Sequence, residues 1–178
     1  MNVKRLFVLT LMTLSAMATW AYDFSYTYQG KTLYYNFAVY YSAANPYGDT
    51  IPNSVSVANP LTGNYYSYVS GELVIPDSVE YNDIRYAVVW IGDYAFCGCS
   101  GLTSVTIPNN VNLISVYAFN DCSSLTSVTI PDSIKRIGWY AFHDCSSLTS
   151  ITIPNGVTYI DEYAFSGCSA LTTPNTYW

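Results

Sequence analysis

The chain has 178 residues, of which 51% are apolar, 10% are charged and 19 are tyrosine. Globular domains carry about 25% charged residues, so this surface is expected to consist mainly of neutral polar groups and tyrosine. This composition excludes an intrinsically disordered chain, and the absence of charged and apolar residues at helical spacing excludes a coiled coil. A net charge of −6, with only 6 Lys and Arg, argues against nucleic-acid or anionic-membrane partners.

Residues 1–21 are predicted to be a secretory signal peptide. A basic start at Lys4 and Arg5 precedes an uncharged apolar run, and small residues then mark a cleavage point after Ala18 or Ala21. The run is too short for a membrane anchor, and we expect no transmembrane span in the mature chain. The protein is therefore expected to be secreted or displayed at the cell surface.

Residues 22–70 are predicted to form a β-rich N-terminal cap. Two β-forming runs, Asp23–Tyr28 and Thr32–Val39, flank the hairpin-type turn signal Gln29-Gly30. Segments 45–49 and 59–64, which contain Asn, Pro and Gly, are predicted to be loops. Another hairpin is expected over Val79–Val88, with its turn at Asn82-Asp83.

Residues 71–178 contain an internal repeat with a period of 23 residues. Complete or partial units start at Ile91, Ile114, Ile137 and Ile160; the first two agree at 13 of 23 positions and the second and third at 14. A fixed period of this length with regularly placed leucines predicts a leucine-rich-repeat solenoid of about four coils.

Each unit predicts one strand and one short helical turn. Leu125, Val128 and Ile130 fit the inward positions of a strand that ends at Pro131. Helical spacing over Tyr117–Cys122 directs Ala, Phe and Cys to the core and Tyr outward. Stacked coils would then pair their strands in a parallel sheet.

The repeated pattern I-G-x-x-A-F-x-x-C-S-x-L-T-S-V-T-I-P-x-x-V resembles the BspA-like leucine-rich repeats of exported bacterial surface proteins. The resemblance covers Ile91–Thr172 and extends upstream through Gly71–Pro76. It implies a non-catalytic recognition or adhesion module, with a host extracellular protein, a surface glycan, another cell or another bacterial surface protein as partner. A structural, self-associating surface-layer or spacer protein is the alternative, and an ice- or crystal-binding plane is a third hypothesis.

Five cysteines in an exported chain raise the question of disulfides. Four share one repeat position and are expected to form a buried, reduced ladder, because parallel Cβ directions oppose disulfide geometry; they are Cys99, Cys122, Cys145 and Cys168. A linear ladder also lacks the tetrahedral geometry of a zinc site, so no metal is expected. Cys97 is expected to point outward, together with Asn120, His143 and Ser166, and is the candidate reactive thiol; an unpaired cysteine without a role is the alternative.

Nothing in the sequence predicts an enzyme or a cofactor. His143 is the only histidine, and Asp144 follows it, but no recognisable motif supplies a nucleophile. Phosphate-binding glycine loops, HExxH and GxSxG are absent. Catalytic residues and a bound cofactor are therefore not expected.

Repeated surface positions provide the candidate binding residues. Tyrosine gives broad amphipathic contacts and Ser or Thr gives adaptable hydrogen bonds, a combination common in recognition surfaces. Duplication of a repeat also copies its outward residues without selection for binding, and the two interpretations stay open. The candidates are Tyr94, Tyr117, Tyr140 and Tyr163 on the turn side, and Ser104, Thr106, Ser127, Thr129, Ser150 and Thr152 on the sheet.

The C-terminal unit departs from the repeat. Pro174 stands where Val or Ile belongs, which predicts a closed sheet edge that Tyr177 and Trp178 could cover. A truncated product of a longer repeat array is the alternative interpretation.

Overall fold

A computed structural model describes residues 23–40, 49–58 and 69–172 of the chain. The predicted signal peptide, most of the first predicted loop, the second loop, and Pro174, Tyr177 and Trp178 lie outside these ranges. The described residues form the strands β1 (Phe24–Tyr28), β2 (Lys31–Tyr40), β3 (Asp49–Ala58), β4 (Gly71–Val74), β5 (Ser78–Tyr81), β6 (Ile84–Ile91), β7 (Leu102–Thr106), β8 (Leu113–Ile114), β9 (Ser127–Thr129), β10 (Arg136–Ile137) and β11 (Tyr159–Ile160).

Both predicted hairpins are confirmed. Strands β1 and β2 pair antiparallel around Gln29 (φ 48°) and Gly30 (φ 75°), with Tyr28 opposite Lys31. Strands β5 and β6 pair antiparallel around Asn82 (φ 52°) and Asp83 (φ 63°). Two consecutive residues with positive φ give the turn whose twist matches that of the flanking strands, which is why Gly, Asn and Asp favour this position.

The strands form two sheets, whereas the sequence predicted one. The larger sheet has the order β1-β2-β3-β6-β8-β10-β11, with β5 also paired to β6. It is antiparallel at its N-terminal end and parallel from β3 onward. The smaller sheet, β4-β7-β9, is parallel and contains the predicted strand frame.

The 23-residue period is the register between successive repeat strands in both sheets. Ile91 pairs with Ile114, Ile114 with Ile137, and Ile137 with Ile160 in the larger sheet. The N-terminal segment continues this sheet, since Val57 of β3 is the parallel partner of Ile91. Its role as a cap stays a prediction.

The predicted helical turns are wrong, and the backbone gives the reason. The described residues contain no helix, and the segment after Ile91 is a run of turns. Alternate amides face different partners: Cys97 N–H donates within the turn to Tyr94 O (3.1 Å), whereas Phe96 N–H donates to Ala118 O of the next coil (2.7 Å). Left-handed residues at Tyr94 (φ 56°) and Gly98 (φ 74°) accompany this alternation and are incompatible with a helix.

One continuous hydrophobic core extends from the N-terminal hairpin to the last described coil. Stacked phenylalanines lie along it, with ring centroids 5.1–5.2 Å apart, and they are Phe96, Phe119, Phe142 and Phe165. Because each coil contributes the same inward side chains at the same height, the core is a set of parallel files.

Tyr35 is the largest anomaly in this core. Its side chain is fully buried (0% exposed) and stacks on Phe24 with centroids 5.6 Å apart. Its hydroxyl has no hydrogen-bond partner within the described residues, and burial raises the pKa of Tyr35 far above its usual value. A buried polar group without a partner destabilises the fold.

We therefore expect Tyr35→Phe to raise the free energy of unfolding by roughly 1 kcal/mol, because it removes the orphan hydroxyl and keeps the ring. Urea denaturation monitored by circular dichroism measures the change. Tyr35→Leu is the control and should be destabilising, because it also loses the stacking on Phe24. A less stable Tyr35→Phe variant would contradict the assignment of this hydroxyl as unpartnered.

Candidate binding surface

The four repeat tyrosines form one stacked file on the surface. Ring centroids of successive members are 4.9, 4.9 and 5.0 Å apart, and the ring planes lie within 12° of parallel. Tyr94 and Tyr163 at the two ends are 40% and 55% exposed, and Tyr117 and Tyr140 between them are half-buried. Because the ring faces cover each other, the file presents mainly ring edges and hydroxyls to solvent.

The backbone holds every tyrosine of the file in the left-handed region. Their φ angles lie between 55° and 61°. This conformation costs an L-residue other than glycine roughly 1–2 kcal/mol. Contacts to the next coil accompany it: Tyr94 N–H donates to Val116 O (3.0 Å) and Tyr117 N–H donates to Trp139 O (2.9 Å). The same turn geometry therefore aligns every ring with its counterpart.

Phenol ionisation is suppressed at the centre of the file. The pKa of Tyr140 is raised by desolvation and by the neighbouring phenols of Tyr117 and Tyr163. A phenol is neutral at physiological pH even without this shift, so the Tyr140 hydroxyl can both donate and accept hydrogen bonds.

Trp139, which immediately precedes Tyr140, is not among the candidates predicted from the sequence. Its side chain is 54% exposed, and its repeat position holds Asp93, Val116 and Glu162 in the other units. Tryptophan and tyrosine are enriched among the residues that dominate binding energy. The available signal was a large aromatic residue at a position that otherwise varies.

The structure places four of the six Ser and Thr candidates on the smaller sheet. Ser104 pairs with Ser127 and Thr106 with Thr129. Ser127 and both threonines are exposed, and Ser104 is half-buried. Ser150 and Thr152 are exposed but lie outside the assigned strands. The tyrosine file thus runs through all four units, whereas the paired Ser/Thr surface covers two.

Four cysteines lie in the core at one repeat position. All five cysteines of the chain are free thiols. Three of the ladder thiols donate to the carbonyl oxygen of the preceding coil's phenylalanine, at 3.3 Å for Cys122, 3.2 Å for Cys145 and 3.0 Å for Cys168. These bonds give the sulfur a role within the core that needs no disulfide.

The expectation that Cys97 is exposed is wrong. Only 1% of Cys97 is accessible, and the amide of Asn120, itself 6% exposed, lies over it with Nδ2 3.4 Å from Sγ. Burial raises the pKa of the Cys97 thiol to about 11. The reason is the turn, because a chain without helical geometry directs this position toward the adjacent coil.

His143 occupies the same repeat position as Cys97 and Asn120, and the three side chains form one row across adjacent coils. Its Nδ1 lies 3.0 Å from Asn120 Oδ1 and 3.2 Å from Asp144 Oδ2. Asn120 separates the imidazole from the Cys97 sulfur, and the thiol is protonated at neutral pH, so this row lacks an activated nucleophile. Within the described ranges, no group of three or more His, Cys, Asp or Glu side chains could hold a metal ion.

A sequence model of the BspA-type leucine-rich repeat region matches residues 73–176, in six copies. The chain belongs to the BspA-type leucine-rich repeat family. The six matched copies begin upstream of Ile91, in the segment whose sequence pattern gives only a partial resemblance. No curated protein matches the chain.

Solved structures confirm the leucine-rich-repeat fold. A leucine-rich repeat protein from Bacteroides ovatus ATCC 8483 is 31% identical (TM-score 0.55), over 78% of this chain and 38% of that one. A leucine rich cell surface protein from Faecalibacterium prausnitzii A2-165 is 33% identical (TM-score 0.57), over 84% and 35%. A leucine-rich repeat protein from Bacteroides capillosus ATCC 29799 is 26% identical (TM-score 0.59), over 84% and 95%. The chain thus spans little more than a third of the first two.

The described ranges show no apolar helix of the length that crossing a bilayer requires.

The burial of the thiols predicts a different order of reaction from the one that the sequence predicts, in which Cys97 is the reactive thiol. Cys168 is the most accessible of the five thiols at 9%, whereas Cys97 is 1% accessible and lies under Asn120. We expect Cys168 to react first with a disulfide reagent at pH 8, and Cys97 to react only on unfolding. Reaction with 5,5′-dithiobis(2-nitrobenzoic acid) followed by peptide mapping measures the order.

Cys168→Ser is the control and should remove the fast phase. Rapid labelling of Cys97 in the native protein would contradict the burial described above.

Proposed function

We propose that the chain is an exported, non-catalytic recognition module that adheres to host extracellular proteins, other cells or surface glycans through its tyrosine file and Trp139. Support comes from the family and from a relative described as a cell surface protein. The continuous file of stacked, partly exposed tyrosines is the observation that carries the proposal.

The physical basis is preorganisation. Stacking and the fixed backbone already restrict the rings, so little side-chain entropy remains to be lost on binding. Tyrosine and tryptophan edges then give apolar contact, and the hydroxyls give hydrogen bonds. Because the contacts repeat at every coil, avidity should increase with the number of coils engaged and with display of many copies.

Burial of Cys97 weakens the alternative of self-association. A link between copies of the chain through Cys97 would need an accessible thiol, and Asn120 covers this one. A non-covalent spacer role remains, and it predicts no specific external partner.

Replacement of two central tyrosines tests the proposal. We expect Tyr117→Asn/Tyr140→Asn to weaken adhesion at least about tenfold, as the loss of hot-spot aromatics does. Asparagine is the suitable replacement because it tolerates positive φ better than other polar residues. Solid-phase binding to a panel of immobilised matrix proteins, mucin and glycans measures the effect.

The matched control is Ser127→Ala/Thr129→Ala on the smaller sheet, which should bind like the unmodified chain. Thermal unfolding must show that both variants are folded. Undiminished adhesion of the folded tyrosine variant would remove the tyrosine file as the contact surface, and loss in the control would transfer that role to the sheet.

A further inference from the structure

A second candidate site lies away from the tyrosine file, in a groove of about 440 Å³. Small-molecule sites typically have volumes of roughly 300–1,000 Å³. Residues of β1, the ends of β4 and β7, and the β5–β6 hairpin line it. The groove therefore joins the N-terminal hairpin to the start of the repeats.

Part of the groove lining is apolar. Tyr26 and Tyr28 are two residues apart on β1, so both side chains point to the same face of the strand. Val74, at the end of β4, is 39% exposed and pairs with Thr106 of β7. Aromatic and aliphatic carbon thus lie beside a threonine hydroxyl.

The polar part of the lining is a hydrogen-bonded triad. Ser78 Oγ donates to Asp77 Oδ1 (2.7 Å), and Arg85 Nε donates to Ser78 Oγ (2.8 Å). Arg85 Nη2 lies 3.7 Å from Asp77 Oδ1. Within the described part of the chain, Asp77 Oδ2 and Arg85 Nη1 have no protein partner. An acceptor and a donor therefore remain for a ligand.

The backbone beneath the triad is fixed. Asp77 O accepts from Val88 N (2.9 Å) and from Asn110 Nδ2 (2.6 Å), and Pro76 precedes it. The Arg85 and Asp77 side chains are nevertheless 77% and 65% exposed, and such exposed ion pairs contribute little to stability. A contribution to the stability of the fold therefore does not explain the Arg85–Asp77 pair.

We propose that the groove binds a neutral oligosaccharide. A pyranose has an apolar C–H face that packs on a tyrosine ring and adjacent hydroxyls that pair with one acceptor and one donor. Tyr28 supplies the ring, Asp77 Oδ2 accepts from one hydroxyl, and Arg85 Nη1 donates to the next. Asp77 and Arg85 cancel in charge, and the net charge of −6 disfavours anionic sugars.

The groove shares no residue with the tyrosine file, so the two proposals can fail separately. Adhesion lost in Tyr117→Asn/Tyr140→Asn with sugar binding intact would support two independent sites. Sugar binding lost in groove variants with matrix adhesion intact would do the same.

Saturation-transfer NMR on the purified chain tests the proposal. The probes are maltotriose, cellotriose, mannotriose, chitotriose and lactose, with sialyllactose as the anionic comparison. We expect at least one neutral probe to bind with a millimolar dissociation constant, and Tyr28→Ala and Asp77→Ala each to weaken it at least about tenfold. Arg136→Gln is the matched control, since it removes an exposed arginine from an Asp161 pair outside the groove and should leave binding unchanged.

Three results would overturn the proposal. They are the absence of binding by every neutral probe, equal binding by the groove variants, and stronger binding of sialyllactose than of lactose. Asp77 is exposed, so Asp77→Ala decides the outcome if Tyr28→Ala does not fold.

Discussion

The structure depends on in-register stacking of one coil on the next. Phe96, Phe119 and Phe142 each donate their backbone N–H to an alanine carbonyl of the following coil at 2.7 Å, and their rings stack with centroids 5.1 Å apart. Since a coil buries its apolar face only against its neighbours, these contacts are both the secondary structure and the core of the repeats. The coil-to-coil contacts can repeat because every coil has the same length of 23 residues.

This constraint also determines the surface. A register that superposes the phenylalanines superposes the outward residues too, so the tyrosines must form a file. The left-handed backbone of these tyrosines is unfavourable, but it directs alternate amides to the next coil. There the amides donate hydrogen bonds to backbone carbonyl oxygens. The surface is therefore regular and rigid, and it provides many similar contacts rather than one deep pocket. The groove beside Asp77 differs because it lies where the periodic and non-periodic parts meet.

Periodicity and turn chemistry were sufficient to predict the solenoid, its inward files and both hairpins. They did not distinguish a helical turn from the observed one, because Ala118, Phe119 and Cys122 satisfy a helical face equally well. The decisive factor is a hydrogen bond to a residue about 22 positions later, which no local pattern contains. Gly98, Asp121, Asp144 and Gly167, all at positive φ, were a usable signal, since Gly and Asp tolerate that region. Burial of Cys97 was missed for the same reason, because the neighbouring coil supplies the Asn120 that covers it.

The most direct test of this account is to delete one coil in two ways, one that keeps the 23-residue register of the later coils and one that shifts it. Removing residues 114–136 takes out one whole period, whereas removing 115–136 takes out one residue fewer and shifts every later side chain against its neighbour. Hydrogen exchange of residues 137–172, followed by mass spectrometry, measures the result. We expect native-like protection after the first deletion and rapid exchange throughout this segment after the second. Equal protection in both variants would contradict the claim that coil-to-coil register holds the fold together.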